Sequence, residues 1–125
     1  MNQYEVTVSS TKLYEPQSTD LILYFPKKTK VVKIFSVTVN NKNEMLNYFI
    51  VKDDSYVKIA TFNSLKGGYL VNCKKGILKL KCILQSSSII GSKDLMGTVT
   101  YEKKKKGFID GRINESACVK IRKLV

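Results

Sequence analysis

The chain has 125 residues, with 22 Lys and Arg against 10 Asp and Glu and no histidine, which gives a formal net charge of +12. That length supports one core and no second domain, so residues 1–125 are expected to form a single domain. A hydrophobic share of 43% argues against wholesale disorder, and the lack of histidine excludes histidine-assisted nucleophilic catalysis and histidine-bearing zinc sites.

The first element is Gln3 to Ser9, where Tyr4, Val6 and Val8 alternate with Gln3, Glu5, Thr7 and Ser9. That period of two predicts a strand with one wet face. Thr11 to Thr19 reads as a long loop. Leu21 to Phe25 is apolar on both faces and closed by Pro26, which suits a short interior strand. Lys27-Lys28-Thr29-Lys30 reads as a basic turn. Val31 to Val39 is rich in β-branched residues and stops at the turn cluster Asn40-Asn41-Lys42-Asn43. Leu46 to Lys52 and Ser55 to Phe62 flank Asp53-Asp54, the pattern of a tight hairpin. Gly67-Gly68 then turns the chain into Tyr69-Leu70-Val71.

Gly76 to Leu84 places Leu78, Leu80, Cys82 and Leu84 on one face and Lys79 and Lys81 on the other. After a Ser86-Ser87-Ser88 loop, Leu95 to Lys103 puts Val99 and Tyr101 on one side and Thr98, Thr100 and Glu102 on the other. A final strand sets Ala117, Val119 and Ile121 against Cys118, Lys120 and Arg122. No helix of ordinary length fits, because Gly91 and β-branched neighbours break the one stretch long enough. The predicted fold is all-β, an antiparallel β-sandwich of the Ig-like or jelly-roll kind with about eight short strands.

Candidate chemistry is sparse. Asp53 and Asp54 are paired carboxylates, but adjacent residues in a hairpin point apart and are explained by turn preference. Lys66-Gly67-Gly68 lacks the spacing and the following helix of a phosphate loop. Cys73, Cys82 and Cys118 lack metal-ligand spacing and read as reduced packing residues. No enzyme activity, cofactor or metal site is therefore expected.

The basic residues carry more. Lys103, Lys104, Lys105 and Lys106 form an unbroken run before Gly107 that reads as an exposed loop able to clamp phosphates. Lys79, Lys81, Lys120 and Arg122 would make a basic stripe if their strands share a sheet. Such a stripe could follow a nucleic-acid backbone, or it could guard sheet edges against aggregation. Tyr24, Tyr48, Tyr56, Phe62 and Tyr69 are candidate stacking platforms, about half of which the alternation assigns to the core.

Gly76-Ile77-Leu78-Lys79-Leu80, Phe108-Ile109-Asp110-Gly111-Arg112 and Val119-Lys120-Ile121 resemble the β-sandwich modules that tailed phages use in head fibres and related capsid attachments. The resemblance covers residues 76–125, and Ile109 stands where those modules usually carry proline. It implies a phage virion structural protein, an auxiliary or decorating component docked on the capsid or connector in multiple copies. Capsid or other virion proteins are then the partners, with the virion as the location and the host cytoplasm as the site of synthesis. The alternative is an OB-like nucleic-acid-binding β-barrel that uses the basic stripe and the lysine run. Neither reading involves a membrane or a small-molecule substrate: no apolar run approaches the ~20 residues that span a bilayer, and Met1 to Glu5 lacks the basic start of a signal peptide.

Overall fold

The computed structural model describes residues 1–10, 20–39, 48–61, 78–105 and 108–124. These form eight strands and one short helical turn: β1 (Asn2–Ser9), β2 (Asp20–Tyr24), β3 (Thr29–Val39), β4 (Tyr48–Lys52), β5 (Tyr56–Thr61), β6 (Leu78–Ser86), a 3-10 turn (Ser92–Asp94), β7 (Met96–Lys105) and β8 (Phe108–Lys123). Every ladder is antiparallel, and the strands make one eight-stranded sheet in the order β3-β6-β1-β8-β7-β2-β5-β4. The predicted all-β antiparallel class is correct. The predicted Thr11 to Thr19 loop, the Asn40 to Asn43 turn and the Gly67-Gly68 turn lie outside the described residues.

The alternation read from the sequence is the packing pattern of the core. Tyr4, Val6 and Val8 of β1 point inward with Leu80, Cys82 and Leu84 of β6, Leu21 and Leu23 of β2, Val57 of β5 and Val99 of β7. Val119 and Ile121 of β8 pack against the same cluster. One core thus receives side chains from both halves of the sheet, so the sheet curls around it into a nearly closed, barrel-like shape. Burial of each of these aliphatic side chains contributes on the order of 1.5–3 kcal/mol.

β8 makes the curl possible. At 16 residues it is too long to lie in one flat ladder. Its first part pairs with β7, from Lys105↔Phe108 to Gly97↔Ala117, and its last part pairs with β1, from Ser9↔Cys118 to Tyr4↔Lys123. Between Glu102↔Arg112 and Lys104↔Ile109, β8 advances three residues while β7 advances two. The extra residue is a bulge that bends the strand, and Gly111 takes a φ of +96° there, a conformation glycine adopts without a Cβ penalty.

The same ladder corrects one expectation. Lys103, Lys104 and Lys105 were assigned to an exposed loop, but they are the end of β7, with Lys104 opposite Ile109 and Lys105 opposite Phe108. The strand runs on because lysine tolerates an extended backbone and β8 supplies the hydrogen-bonding partner. Lys106 lies outside the described residues.

Tyr4 ties the core to the connection after β6. Its ring is buried, its hydroxyl accepts a hydrogen bond from the Ile90 backbone N–H at 3.1 Å, and it donates to the Ser88 carbonyl at 3.5 Å. The 3-10 turn follows, with the Gly91 N–H donating to the Asp94 carboxylate at 2.8 Å. The Leu124 N–H donates to the Gln3 carbonyl at 2.8 Å, so the first and last strands run side by side to their ends.

The two sheet edges, β3 and β4, are not joined by any ladder among the described residues. β3 is bulged twice, between Val31 and Lys33 and between Ile34 and Ser36. Bulges and exposed lysines such as Lys30 and Lys33 on an edge strand discourage edge-to-edge pairing with another chain.

Gly97 is the tightest point of the core. A Cβ there would meet Val119 Cγ2 at 2.8 Å, Val8 Cγ1 at 2.9 Å and Ala117 Cβ at 3.2 Å. Gly97→Ala is expected to destabilise the fold by about 1–3 kcal/mol through overpacking, read as a lower denaturant midpoint with an unchanged slope.

Candidate functional site

The condition placed on the basic stripe is met, with a third strand between its two halves. β6 and β8 both pair with β1, so Lys81 and Lys120 lie opposite Thr7 from its two sides, and Lys79 and Cys118 lie opposite Ser9. Arg122 lies opposite Glu5, and on the far side of β6 Lys33 lies opposite Ile83. Neighbouring strands are ~4.8 Å apart, so the Lys81 and Lys120 backbones are separated by roughly 10 Å across the outer face. Lys79, Lys81, Lys120 and Arg122 therefore share one surface. The backbone of Lys103 to Lys105 is at the opposite end of β8 and does not join them.

The sequence reading missed the acid at the centre of this surface. Glu5 takes an ion pair from Arg122 at 2.9 Å and another from Lys81 at 3.3 Å. The Arg122 hydrogen bond, with Lys81 adding to it, holds the Glu5 carboxyl below its ordinary pKa, although partial desolvation pulls the other way. Glu5 was visible as a wet-face residue of β1. Only the strand order, with β1 between β6 and β8, shows that it sits among the cations.

Among the described residues this face carries five basic groups and one carboxylate. Lys120 has no ion-pair partner among the described residues, whereas Lys81 and Arg122 are committed to Glu5. The exposed ion pairs hold side chains in place more than they stabilise the fold.

The other half of the sheet presents a different outer surface. Tyr56, Tyr24 and Met96 form one cross-strand row over β5, β2 and β7. The two tyrosine rings are tilted at 55° with centroids 6.0 Å apart, and Met96 is 56% exposed. Of the aromatic candidates, Tyr24 and Tyr56 are thus half-buried on the outside, while among the described residues the buried aromatics are Tyr4 and Phe25. The side chains of Tyr48, Phe62 and Tyr69 lie outside the described residues. On the same half, Arg112 pairs with Asp20 at 3.5 Å and Thr100 donates to Asn114 at 3.3 Å.

Cys82 is buried in the core and its thiol is pushed up to about 12 by that burial. Cys118 is half-buried on the opposite face of the sheet, and both are free thiols. Among the described residues no group of three or more Cys, Asp or Glu is placed to hold a metal ion, and no helix is long and apolar enough to cross a membrane. Compared with protein-family models, with curated proteins and with solved structures, the chain matches none.

Two outcomes follow from these environments. Because Glu5 has a depressed pKa when folded, its contribution is complete above the ordinary carboxylate range and is lost as pH falls through the lowered folded value. Glu5→Gln should therefore narrow the stability difference between pH 7 and pH 3 in urea titrations, and should lengthen retention on a heparin column at pH 7. Iodoacetamide at pH 8 should modify Cys118 in the native protein and reach Cys82 only after unfolding, which peptide mapping reads directly.

Proposed function

We propose that this protein is a non-catalytic docking module, an auxiliary component of a phage particle that attaches to the capsid or connector through its cationic outer face. The observation that carries the docking role is the clustering of Lys79, Lys81, Lys120, Arg122 and Lys33 across β6, β1, β8 and β3 around the Glu5 carboxylate. An acidic protein surface is the complementary partner, with charge guiding encounter and register. The particle assignment rests on the resemblance of residues 76–125 to head-fibre modules. In this reading the sheet is a sandwich, with β3-β6-β1 and the end of β8 as one layer and β7-β2-β5-β4 and the start of β8 as the other.

Mass spectrometry of purified particles tests it. The chain is expected in stoichiometric amounts, and a Lys81→Glu/Lys120→Glu variant with unchanged melting temperature is expected to be lost from the particles. Particles that lack the parent chain would end the proposal.

A second reading, binding of single-stranded nucleic acid, is favoured by one observation. The outward Tyr24 and Tyr56 rings with Met96 offer a surface on which bases can stack, on a protein whose field is positive. Affinity for a single-stranded oligonucleotide would then fall steeply between low and moderate salt, and the absence of binding at low salt removes this reading.

A further inference from the structure

The two open edges of the sheet come together at a cleft that neither reading uses. One wall is the β2–β3 turn at Lys27 and Lys28 with the first residues of β3, Thr29 and Lys30, and the other is Lys52 at the end of β4 with the β4–β5 turn of Asp53, Asp54 and Ser55. Backbone hydrogen bonds fix the second wall: the Phe25 N–H donates to the Ser55 carbonyl and the Asp53 N–H to the Tyr56 carbonyl, both at 2.8 Å. The larger compartment has a volume of about 580 Å³ and an adjoining one about 340 Å³, within the range of small-ligand sites.

Three features set this cleft apart. Four lysines and two aspartates line it, and none of the six is in an ion pair among the described residues. Lys28 has a φ of 69°, the left-handed region that a lysine seldom occupies, and such strain concentrates at binding sites. Thr29, only 5% exposed and common to both compartments, has the one buried side-chain polar atom among the described residues that lacks a hydrogen-bond partner.

We propose that this cleft binds a phosphate ester of a sugar. The lining charge is four lysines less two aspartates, +2, which complements the charge of about −1.5 to −2 on a phosphate monoester at neutral pH. A net-neutral zwitterion such as an amino acid fits that balance less well. Lys27, Lys28 and Lys30 take the phosphate together with the Thr29 hydroxyl. Asp53 and Asp54, which both line the cleft although adjacent hairpin residues were expected to point apart, accept hydrogen bonds from the sugar hydroxyls, as carboxylates do for vicinal diols. The cleft adjoins the docking face along β3, which gives Lys33 to that face and Lys30 to the cleft, but Lys79, Lys81, Lys120 and Arg122 take no part in its lining, so the inference does not rest on the docking reading.

Amide chemical shifts on titration with ribose 5-phosphate test it, with inorganic phosphate, ribose and glycine as controls. The expected result is movement confined to residues 27–30 and 52–55, with inorganic phosphate at least tenfold weaker. Asp53→Asn/Asp54→Asn should bring ribose 5-phosphate down to the level of inorganic phosphate. Thr29→Val should bind about tenfold more weakly, with a melting temperature equal to or above the parent's, since it replaces an unpartnered hydroxyl by a methyl. Adenosine 5′-monophosphate in parallel separates the sources: tighter binding than ribose 5-phosphate assigns a nucleotide, equal binding a free sugar phosphate. The proposal is overturned by unmoved signals at those residues, by inorganic phosphate or glycine binding as tightly as the ester, or by a Thr29→Val variant that melts below the parent.

Discussion

The fold depends on one strand serving two neighbours in succession. β8 pairs with β7 along its first part and with β1 along its last, and that change of partner places the two halves of the sheet around a common core. Its inward residues Ala117, Val119 and Ile121 sit where the change occurs. The close approach at Gly97, with Val8 from β1 and Val119 from β8 in near contact, belongs to the same junction. The bulge at Gly111 supplies the local bend upstream. Separating β8 from either neighbour exposes the apolar side chains of both halves, which gives the molecule a reason to unfold as a unit.

The same strand arrangement organises the surface. Because β1 is flanked by β6 and β8, the wet faces of three strands combine into one patch, and residues distant in sequence, Glu5, Lys81 and Arg122, become ion-paired neighbours. A carboxylate among cations costs some net charge. In return it fixes the directions of Lys81 and Arg122, and Lys120 is left to the solvent. The opposite half of the sheet carries the tyrosine pair and Met96 instead, so the domain has two chemically distinct outer surfaces and a cleft where its edges meet. Edge protection and ligand attraction draw on the same residue type here: Lys30 belongs both to the bulged edge strand and to the wall of the cleft.

Much of the architecture was legible in the alternation of side chains. β1, β6 and β7 bury the residues that a period of two assigns to the inside, because a half-solvated strand has no other way to hide Val6, Leu80 or Val99, whereas β2, expected to be buried on both faces, hides Leu21 and Leu23 and leaves Ile22 and Tyr24 half-buried. The extent of β8 was not legible: its first part, Phe108 to Ser116, alternates weakly and contains Asp110-Gly111, where the strand is bulged. The lysine run was misread for a related reason, since charge and a following glycine suggest a loop while an available partner strand extends the ladder. Glu5 and the cleft needed the strand order, a non-local property set by which strands meet around the core. The basic turn after β2, which the structure confines to Lys27 and Lys28 because β3 begins at Thr29, and the Asp53-Asp54 hairpin were each visible alone, but nothing local places one across from the other.

The hydrogen bond from the Leu124 N–H to the Gln3 carbonyl brings the two ends of the described chain to one spot on the molecule. A domain with that property can be spliced into a surface loop of a host protein without prying the host apart, or have its ends joined and be reopened elsewhere. Force applied at those two ends would peel β1 from β8 one bond at a time rather than shear the ladder all at once. As a tether pulled from both ends, this domain would yield gradually from that seam.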